Sequence, residues 1–190
     1  MTTTAQGASG AAPSGRSPRR RGRLLVNTGN GKGKSSAAFG VMGRAWARGW
    51  RVAVVQFIKA PGWTVGERTL ADHLGVDWHT LGDGFTWESQ DLHETAARAR
   101  HAWEVAAATI AGGEYDLVIL DEMTYAVTFG WVPVDEVVAT LRDRPDRTSV
   151  IVTGRDAPEE IVALADTVTE MVAVKHAHDQ GIPARKGIEY

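Results

Sequence analysis

Thr28-Gly29-Asn30-Gly31-Lys32-Gly33-Lys34-Ser35 is the stretch that decides how this chain is read. It follows the apolar run Leu24-Leu25-Val26 and precedes a long alanine-rich segment, so it reads as a strand, a glycine turn and the start of a helix. That layout makes a phosphate cradle. Glycines let the backbone turn tightly and aim successive N–H groups inward, and the helix N-terminus adds partial positive charge where an anion sits. In this pattern Lys34 reaches the outer phosphates and the Ser35 hydroxyl ligates magnesium. The usual first glycine, five residues before the Gly-Lys-Ser, is here Thr28, which leaves the loop one residue short. A bare Gly-Lys-Ser marks only a turn with a solvated lysine. The preceding strand, the following helix, three glycines alternating with polar residues and a matching acidic strand further on favour phosphate binding.

That acidic strand is Tyr115-Asp116-Leu117-Val118-Ile119-Leu120-Asp121-Glu122. Four apolar residues bury it, and Asp121 and Glu122 emerge at its end, where a cation bound to the phosphates lies. Magnesium needs hard oxygen ligands and keeps several waters, so one hydroxyl and one or two carboxylates suffice. An isolated Asp-Glu more often closes a strand as a solvated pair. Set against Gly33-Lys34-Ser35, the pair instead implies a nucleoside triphosphate with a divalent metal.

With 190 residues and 43% hydrophobic content, the chain suits one well-packed core. The net charge of −2 suggests neither a nucleic-acid nor a membrane partner. Its distribution is uneven, because Arg16, Arg19, Arg20, Arg21 and Arg23 precede every acidic residue. There is no cysteine, which excludes disulfides, thiolate nucleophiles and cysteine-ligated metal sites. No apolar run approaches spanning length and no signal core follows the arginines, so a cytoplasmic location is expected.

Residues 1–22 are rich in Ala, Gly, Ser, Thr, Pro and Arg and cannot bury enough surface to order alone, so they are expected to form a disordered arm. The alternative is ordering on a phosphate-rich ligand or an acidic partner. Residues 23–190 are expected to form a single domain of alternating strands and helices. A helix runs from the loop to about Arg48 with Ala38, Val41, Met42 and Ala45 on one face, and Gly49 ends it. Arg51 to Ile58 is a buried strand. Lys59 to Gly66 is a loop before a short helix over Glu67 to Leu74, and Val76 to Leu81 is a short strand. Asp91 to Ala111 is the clearest helix, supported by Glu94 four residues before Arg98. Pro133 opens another helix that Pro145 closes, with Val134, Val137, Val138 and Leu141 inward. Ser149 to Thr153 is a strand. Asp156 and Glu159 suggest a capping box with Pro158 in the first turn. Thr167 to Val174 is a last strand, followed by an irregular tail. This succession implies an α/β fold, a mostly parallel sheet with helices on both faces, with ligands outside the carboxyl ends of the strands.

The six histidines form no metal constellation; His176 and His178 share one side of a strand but lack a third ligand. No nucleophile elbow or triad is present. Phe85 and Trp87, one residue apart in a glycine-punctuated loop, either pack as core anchors or present flat apolar surface to a large planar ligand.

Thr-Gly-Asn-Gly-Lys-Gly-Lys-Ser at 28–35, Val-Val-Gln-Phe-Ile-Lys at 54–59, Gly-Glu-Arg at 66–68, Gly-Phe-Thr-Trp at 84–87, Leu-Asp-Glu-Met-Thr-Tyr at 120–125, Val-Thr-Gly-Arg at 152–155 and Val-Lys-His-Ala at 174–177 together resemble the CobA/CobO class of ATP:corrinoid adenosyltransferases. The resemblance runs from Arg23 to Tyr190, and the shortened phosphate loop belongs to it. It implies transfer of the 5′-deoxyadenosyl group of ATP to the cobalt(I) of a corrinoid, with inorganic triphosphate leaving. It also implies a RecA-like P-loop fold, a homodimer, magnesium or manganese as cofactor, and a flavoprotein reductant. Carried over, Gly29, Asn30, Gly31, Lys32, Gly33, Lys34 and Ser35 cradle the triphosphate, and Lys34 neutralises its charge. Ser35, Glu122 and Asp121 place the metal, and Phe85 and Trp87 press on the lower face of the corrin ring. Arg155 contacts phosphate or a corrinoid side chain, or is a helix-start surface residue. His178 stands where many relatives have an aromatic and Ala60 where they often have glycine; the arginine-rich arm, a candidate lid, is not a family constant. Competing readings are a P-loop kinase or ATPase, a non-catalytic corrinoid carrier, and nucleic-acid binding through the arm.

Overall fold

The computed structural model describes residues 21–58, 66–82 and 92–189. Six strands form one sheet: β1 (Leu24–Thr28), β2 (Val52–Gln56), β3 (Asp77–Thr80), β4 (Leu117–Asp121), β5 (Ser149–Thr153) and β6 (Thr167–Glu170). Their order is β3-β2-β4-β5-β1-β6, and every neighbouring pair is parallel. Six helices join them: α1 (Lys34–Trp46), α2 (Gly66–Leu74), α3 (Leu92–Ala111), α4 (Thr124–Thr128), α5 (Val134–Arg142) and α6 (Glu159–Leu164). The fold is the α/β, P-loop-like arrangement that the alternation of elements implied. Among the described residues no helix is long and apolar enough to cross a membrane.

β2, β4 and β5 are buried throughout, because both faces of the sheet are covered. On one face Val52, Val54, Leu117, Ile119 and Ile151 pack beneath Ala38, Phe39, Met42 and Ala45 of α1 and Ala71 of α2. On the other, Val26, Val55, Val118, Leu120, Val150 and Val152 meet Ala99, Trp103, Ala106 and Ile110 of α3, Val137 and Leu141 of α5, and Ile161 of α6. The period-2 alternation of strand side chains therefore sorts each strand between two cores.

Polar contacts fix the borders. Trp103, wholly buried, donates its indole N–H to Glu136 Oε1 at 2.7 Å, and Arg100 grips the same carboxylate through both guanidinium nitrogens at 2.7 and 3.0 Å. This clamps α3 to α5, and the Arg100 guanidinium leads in holding the Glu136 carboxyl below the usual range. Buried Arg144 donates to the carbonyls of Leu141 and Gly22, and Asp166 accepts the Leu24 N–H at 2.8 Å, which sets where β1 enters the sheet.

Several boundaries differ from expectation. α1 stops at Trp46 and α5 at Arg142, ahead of Pro145. α4 is an additional short helix directly after the acidic pair. β6 ends at Glu170, and the tail carries a 3₁₀ turn at His178–Gln180. The capping box at Asp156 does not form: Pro158 occupies the N-cap of α6 and no side chain caps it. Asp156 instead takes a left-handed φ of 50°, and the next amide, that of Ala157, donates to Thr28 Oγ1 at 3.2 Å. The loop there is tied to β1, and the helix starts later. Of the arm expected over residues 1–22, residues 1–20 lie outside the described residues, as do the loop over 59–65 and Phe85 and Trp87, whereas Arg21 and Gly22 bond to Arg142, Arg144 and Asp146.

Trp103→Ala removes a fully buried ring and leaves Glu136 without one donor, so a loss of about 3–5 kcal/mol is expected in urea unfolding.

Candidate active site

Three neighbouring strands, β4, β5 and β1, end side by side, and the loops after them build one cleft of about 870 Å³. Asn30, Gly31, Lys32, Gly33, Lys34 and Ser35 form one wall; Glu122, Tyr125 and Phe129 after β4, and Arg155 and Asp156 after β5, form another. The tail contributes Ala173, His176, His178, Asp179 and Glu189.

The loop from β1 to α1 turns through two glycines with positive φ, Gly29 at 90° and Gly33 at 115°. Gly33 is the N-cap of α1, so the helix begins at Lys34 with its first amides facing the cleft end. Gly29 and Gly31 serve close approach as well as turning. A Cβ on either would lie 2.6–2.7 Å from the Met171 carbonyl oxygen, and the Gly31 N–H donates to that carbonyl at 2.6 Å. The Asn27 amide holds the other side of the loop, donating to the Lys34 carbonyl at 3.1 Å. The Lys34 ammonium folds back to donate to the Gly31 carbonyl at 2.6 Å. Burial lowers its pKa from the ordinary lysine value, nearby Arg155 lowers it further, and Glu122 and Asp156 partly oppose both.

The acidic pair divides in two. Asp121 is fully buried, and both of its oxygens are engaged: Oδ2 accepts from Gln56 Nε2 at 2.9 Å and Oδ1 from Thr153 Oγ1 at 2.8 Å. Gln56 Oε1 in turn accepts from the Trp78 indole at 3.2 Å. Thr153 Oγ1 accepts the Glu122 N–H at 3.0 Å. A relay thus crosses β3, β2, β4 and β5 and ends on the backbone of Glu122. Glu122 adopts a left-handed φ of 60°, an uncommon conformation outside glycine, and its residue lines the cleft. Thr124 Oγ1 donates to the Arg155 carbonyl at 2.6 Å, which ties the β4 and β5 loops together.

The structure brings Asn30 to Ser35, Glu122 and Arg155 to one cleft, and sets Asp121 beneath it as a support. Tyr125 closes the Leu-Asp-Glu-Met-Thr-Tyr motif, but neither it nor Phe129 was assigned to the site from the sequence. They stack one helical turn apart, with ring centroids 5.9 Å apart, and Phe129 continues to Trp131 at 4.9 Å. Their i, i+4 spacing, from Tyr125 in α4 to Phe129 directly after it, is the trace that was available. The tail residues arrive by topology alone, and Glu189 pairs with Lys32 at 3.6 Å.

The donor set fits a hard divalent cation: the Ser35 hydroxyl and the Glu122 carboxylate both offer oxygen donors at the cleft. Cationic Lys32, Lys34 and Arg155 suit a polyanion beside it.

Residues 20–190 match the protein family described as ATP:corrinoid adenosyltransferase BtuR/CobO/CobP. Over 170 residues the chain is 46% identical to the corrinoid adenosyltransferase of Escherichia coli strain K12, covering 90% of this chain and 86% of that protein. It is 48% identical over 172 residues to the corrinoid adenosyltransferase of Pseudomonas aeruginosa, covering 90% and 84% respectively. The corrinoid adenosyltransferase CobA of Salmonella typhimurium is 45% identical over 170 residues, at 90% and 86% coverage.

Gly31→Ala forces the loop away from Met171, and an overpacking penalty of about 1–3 kcal/mol felt at the cradle predicts ATP binding weaker by about tenfold, read by calorimetry. Gly40→Ala on the open face of α1 meets nothing and is expected to leave ATP binding unchanged.

Proposed function

The chain belongs to the ATP:corrinoid adenosyltransferase family, and from that membership we propose that its cleft holds the triphosphate of ATP while C5′ faces the cobalt of a reduced corrinoid. The chain is an enzyme that transfers the adenosyl group of ATP to a corrinoid in cobalamin synthesis. In the proposed step the cobalt(I) electron pair attacks C5′ and becomes the cobalt–carbon bond, the C5′–oxygen bond breaks, and inorganic triphosphate leaves with the electron pair of that broken bond.

The observation that carries this reading is the convergence of Lys34, Ser35 and Glu122 on one cleft at the glycine loop. Cobalt(I) is a strong nucleophile and needs no general base. What the protein supplies is alignment and stabilisation of charge on the leaving group. Asn30 to Ser35 cradle the phosphates, with Gly29 setting the turn. Lys34 is placed to neutralise the developing charge, with Lys32 and Arg155 at the margins. Ser35 and Glu122 would hold magnesium or manganese, which when bound offsets triphosphate charge as a Lewis acid, and Asp121 orients Glu122 through Thr153.

Phe85 and Trp87 are assigned to the lower face of the corrin, where they displace its axial base and make cobalt(II) easier to reduce; the resemblance of Gly-Phe-Thr-Trp supports this. A flavoprotein is the proposed electron donor. Residues 23–190 are taken as the catalytic domain and residues 1–22 as a separate arm. A homodimer is proposed, supported by edge strand β6, whose residues are all exposed, and by exposed Val172 and Val174 beyond it. Because the co-substrate is ATP, the reaction is assigned to the cytoplasm.

An anaerobic assay with ATP, magnesium and chemically reduced cobalamin tests the reading: a light-sensitive adenosylated corrinoid and an equal amount of triphosphate are expected, whereas ADP with an unchanged corrinoid spectrum indicates a kinase or ATPase. Lys34→Ala should lower kcat/KM on the order of 10²–10³-fold in that assay. Phe85→Ala and Trp87→Ala should impair turnover chiefly when cobalt(II) is reduced in place; equal losses with pre-reduced cobalt(I) would contradict the aromatic role.

A further inference from the structure

The tail that follows β6 lies against the phosphate loop at two points. Met171 takes the Gly31 N–H, and Glu189 Oε1 stands 3.6 Å from Lys32 Nζ. Glu189 is held in place locally: its other oxygen accepts the Arg185 N–H at 2.8 Å, and its own N–H donates to the Arg185 carbonyl at 2.9 Å. The Arg185 amide is the chief cause that keeps the Glu189 carboxyl below its usual range, and Lys32 and His176 add to it, so the side chain is anionic at neutral pH. Among the residues lining the cleft, Lys32, Lys34 and Arg155 face Glu67, Glu122, Asp156, Asp179 and Glu189. Carboxylates outnumber fixed cations in a cleft suited to a polyanion. Glu122 has a role beside a cation, whereas Glu189 is paired with a lysine of the phosphate loop itself.

We propose that Glu189 is a built-in competitor for Lys32: its carboxylate and the triphosphate take turns on the same ammonium, which weakens product retention and promotes departure of triphosphate. This rests on reading the cleft as a triphosphate site. Triphosphate carries several charges that the loop, Lys34 and a bound cation all attract, so a product so held leaves slowly unless a counter-anion reclaims part of the site. An intramolecular carboxylate does so at high effective concentration and without competing from bulk solution. The exchange is graded, because the Lys32–Glu189 pair is partly exposed and an ion pair of that kind is weak.

The test is calorimetric titration of the full chain with inorganic triphosphate in magnesium, alongside product inhibition of the adenosylation reaction. Glu189→Gln retains an oxygen for the Arg185 N–H and removes the charge. Triphosphate is expected to bind about two- to fivefold more tightly to this variant, with product inhibition deepening by the same factor. Glu189→Asp, which keeps the charge, should remain nearer to wild type. In a Lys32→Gln background the effect of Glu189→Gln should vanish, which a merely structural role for the tail would not produce. Unchanged or weaker triphosphate binding by Glu189→Gln overturns the competition while leaving the site reading in place. Failure of the wild-type protein to bind triphosphate overturns the site reading and the competition with it.

Discussion

A carboxylate with no exposure to solvent sits at the centre of the sheet, and much of the rest follows from how it is satisfied. Burying a carboxyl group is unfavourable unless hydrogen bonds replace its hydration. Asp121 meets that demand by drawing Gln56 from β2 and Thr153 from β5, the two strands that flank its own. The arrangement works only with β4 between those two partners, so the strand order and the buried carboxyl group specify each other. Thr153 then has an acceptor lone pair left for the Glu122 amide, which pins that residue in a conformation it would not adopt unaided.

The strand, glycine loop and helix over residues 24–46 were legible because they are local. Glycine spacing, an apolar run before it and a helix after it lie within about twenty residues, and their physics does not depend on the remainder of the chain. The five buried residues of β4 and the spacing on α3 were legible for the same reason. The roles of Asp121 and Glu122 were less so: as neighbours of one type in sequence they differ only after Gln56 and Thr153 arrive, from 65 and 32 residues away. Tyr125 lies in a short helix without a cap signal and Phe129 directly follows it, and the pairing of Lys32 with Glu189 spans nearly the whole described chain. The misread cap at Asp156 shows the opposite failure. A local pattern was present, but the contact between Thr28 and Ala157 held the backbone elsewhere.

Electrostatics in the cleft are mixed rather than uniformly positive. Lys34 is desolvated and close to Arg155, both of which disfavour its charge, and the carboxylates of Glu122 and Asp156 restore part of it. An ammonium held this way gains when a polyanion arrives, since the same low-dielectric surroundings strengthen the new attraction. The loop is preorganised by its bonds to Asn27, Met171 and the start of α1, so little rearrangement is needed for it to act.

The position of β1 between β5 and β6 bears on the order in which this protein is made and folded. Leu24 to Thr28 leave the ribosome early, yet their partners are Val150 to Thr153 and Thr167 to Glu170, and the loop that follows is completed by the carbonyl of Met171. Pairings across such separations form slowly because a long loop must close before they contribute. A nascent chain therefore has the glycine motif exposed, but without its full set of strand partners, until residues 167–171 are translated. ATP can stabilise the native fold only after Met171 has emerged, and a protein truncated short of Met171 lacks the carbonyl that holds the Gly31 amide of the glycine loop.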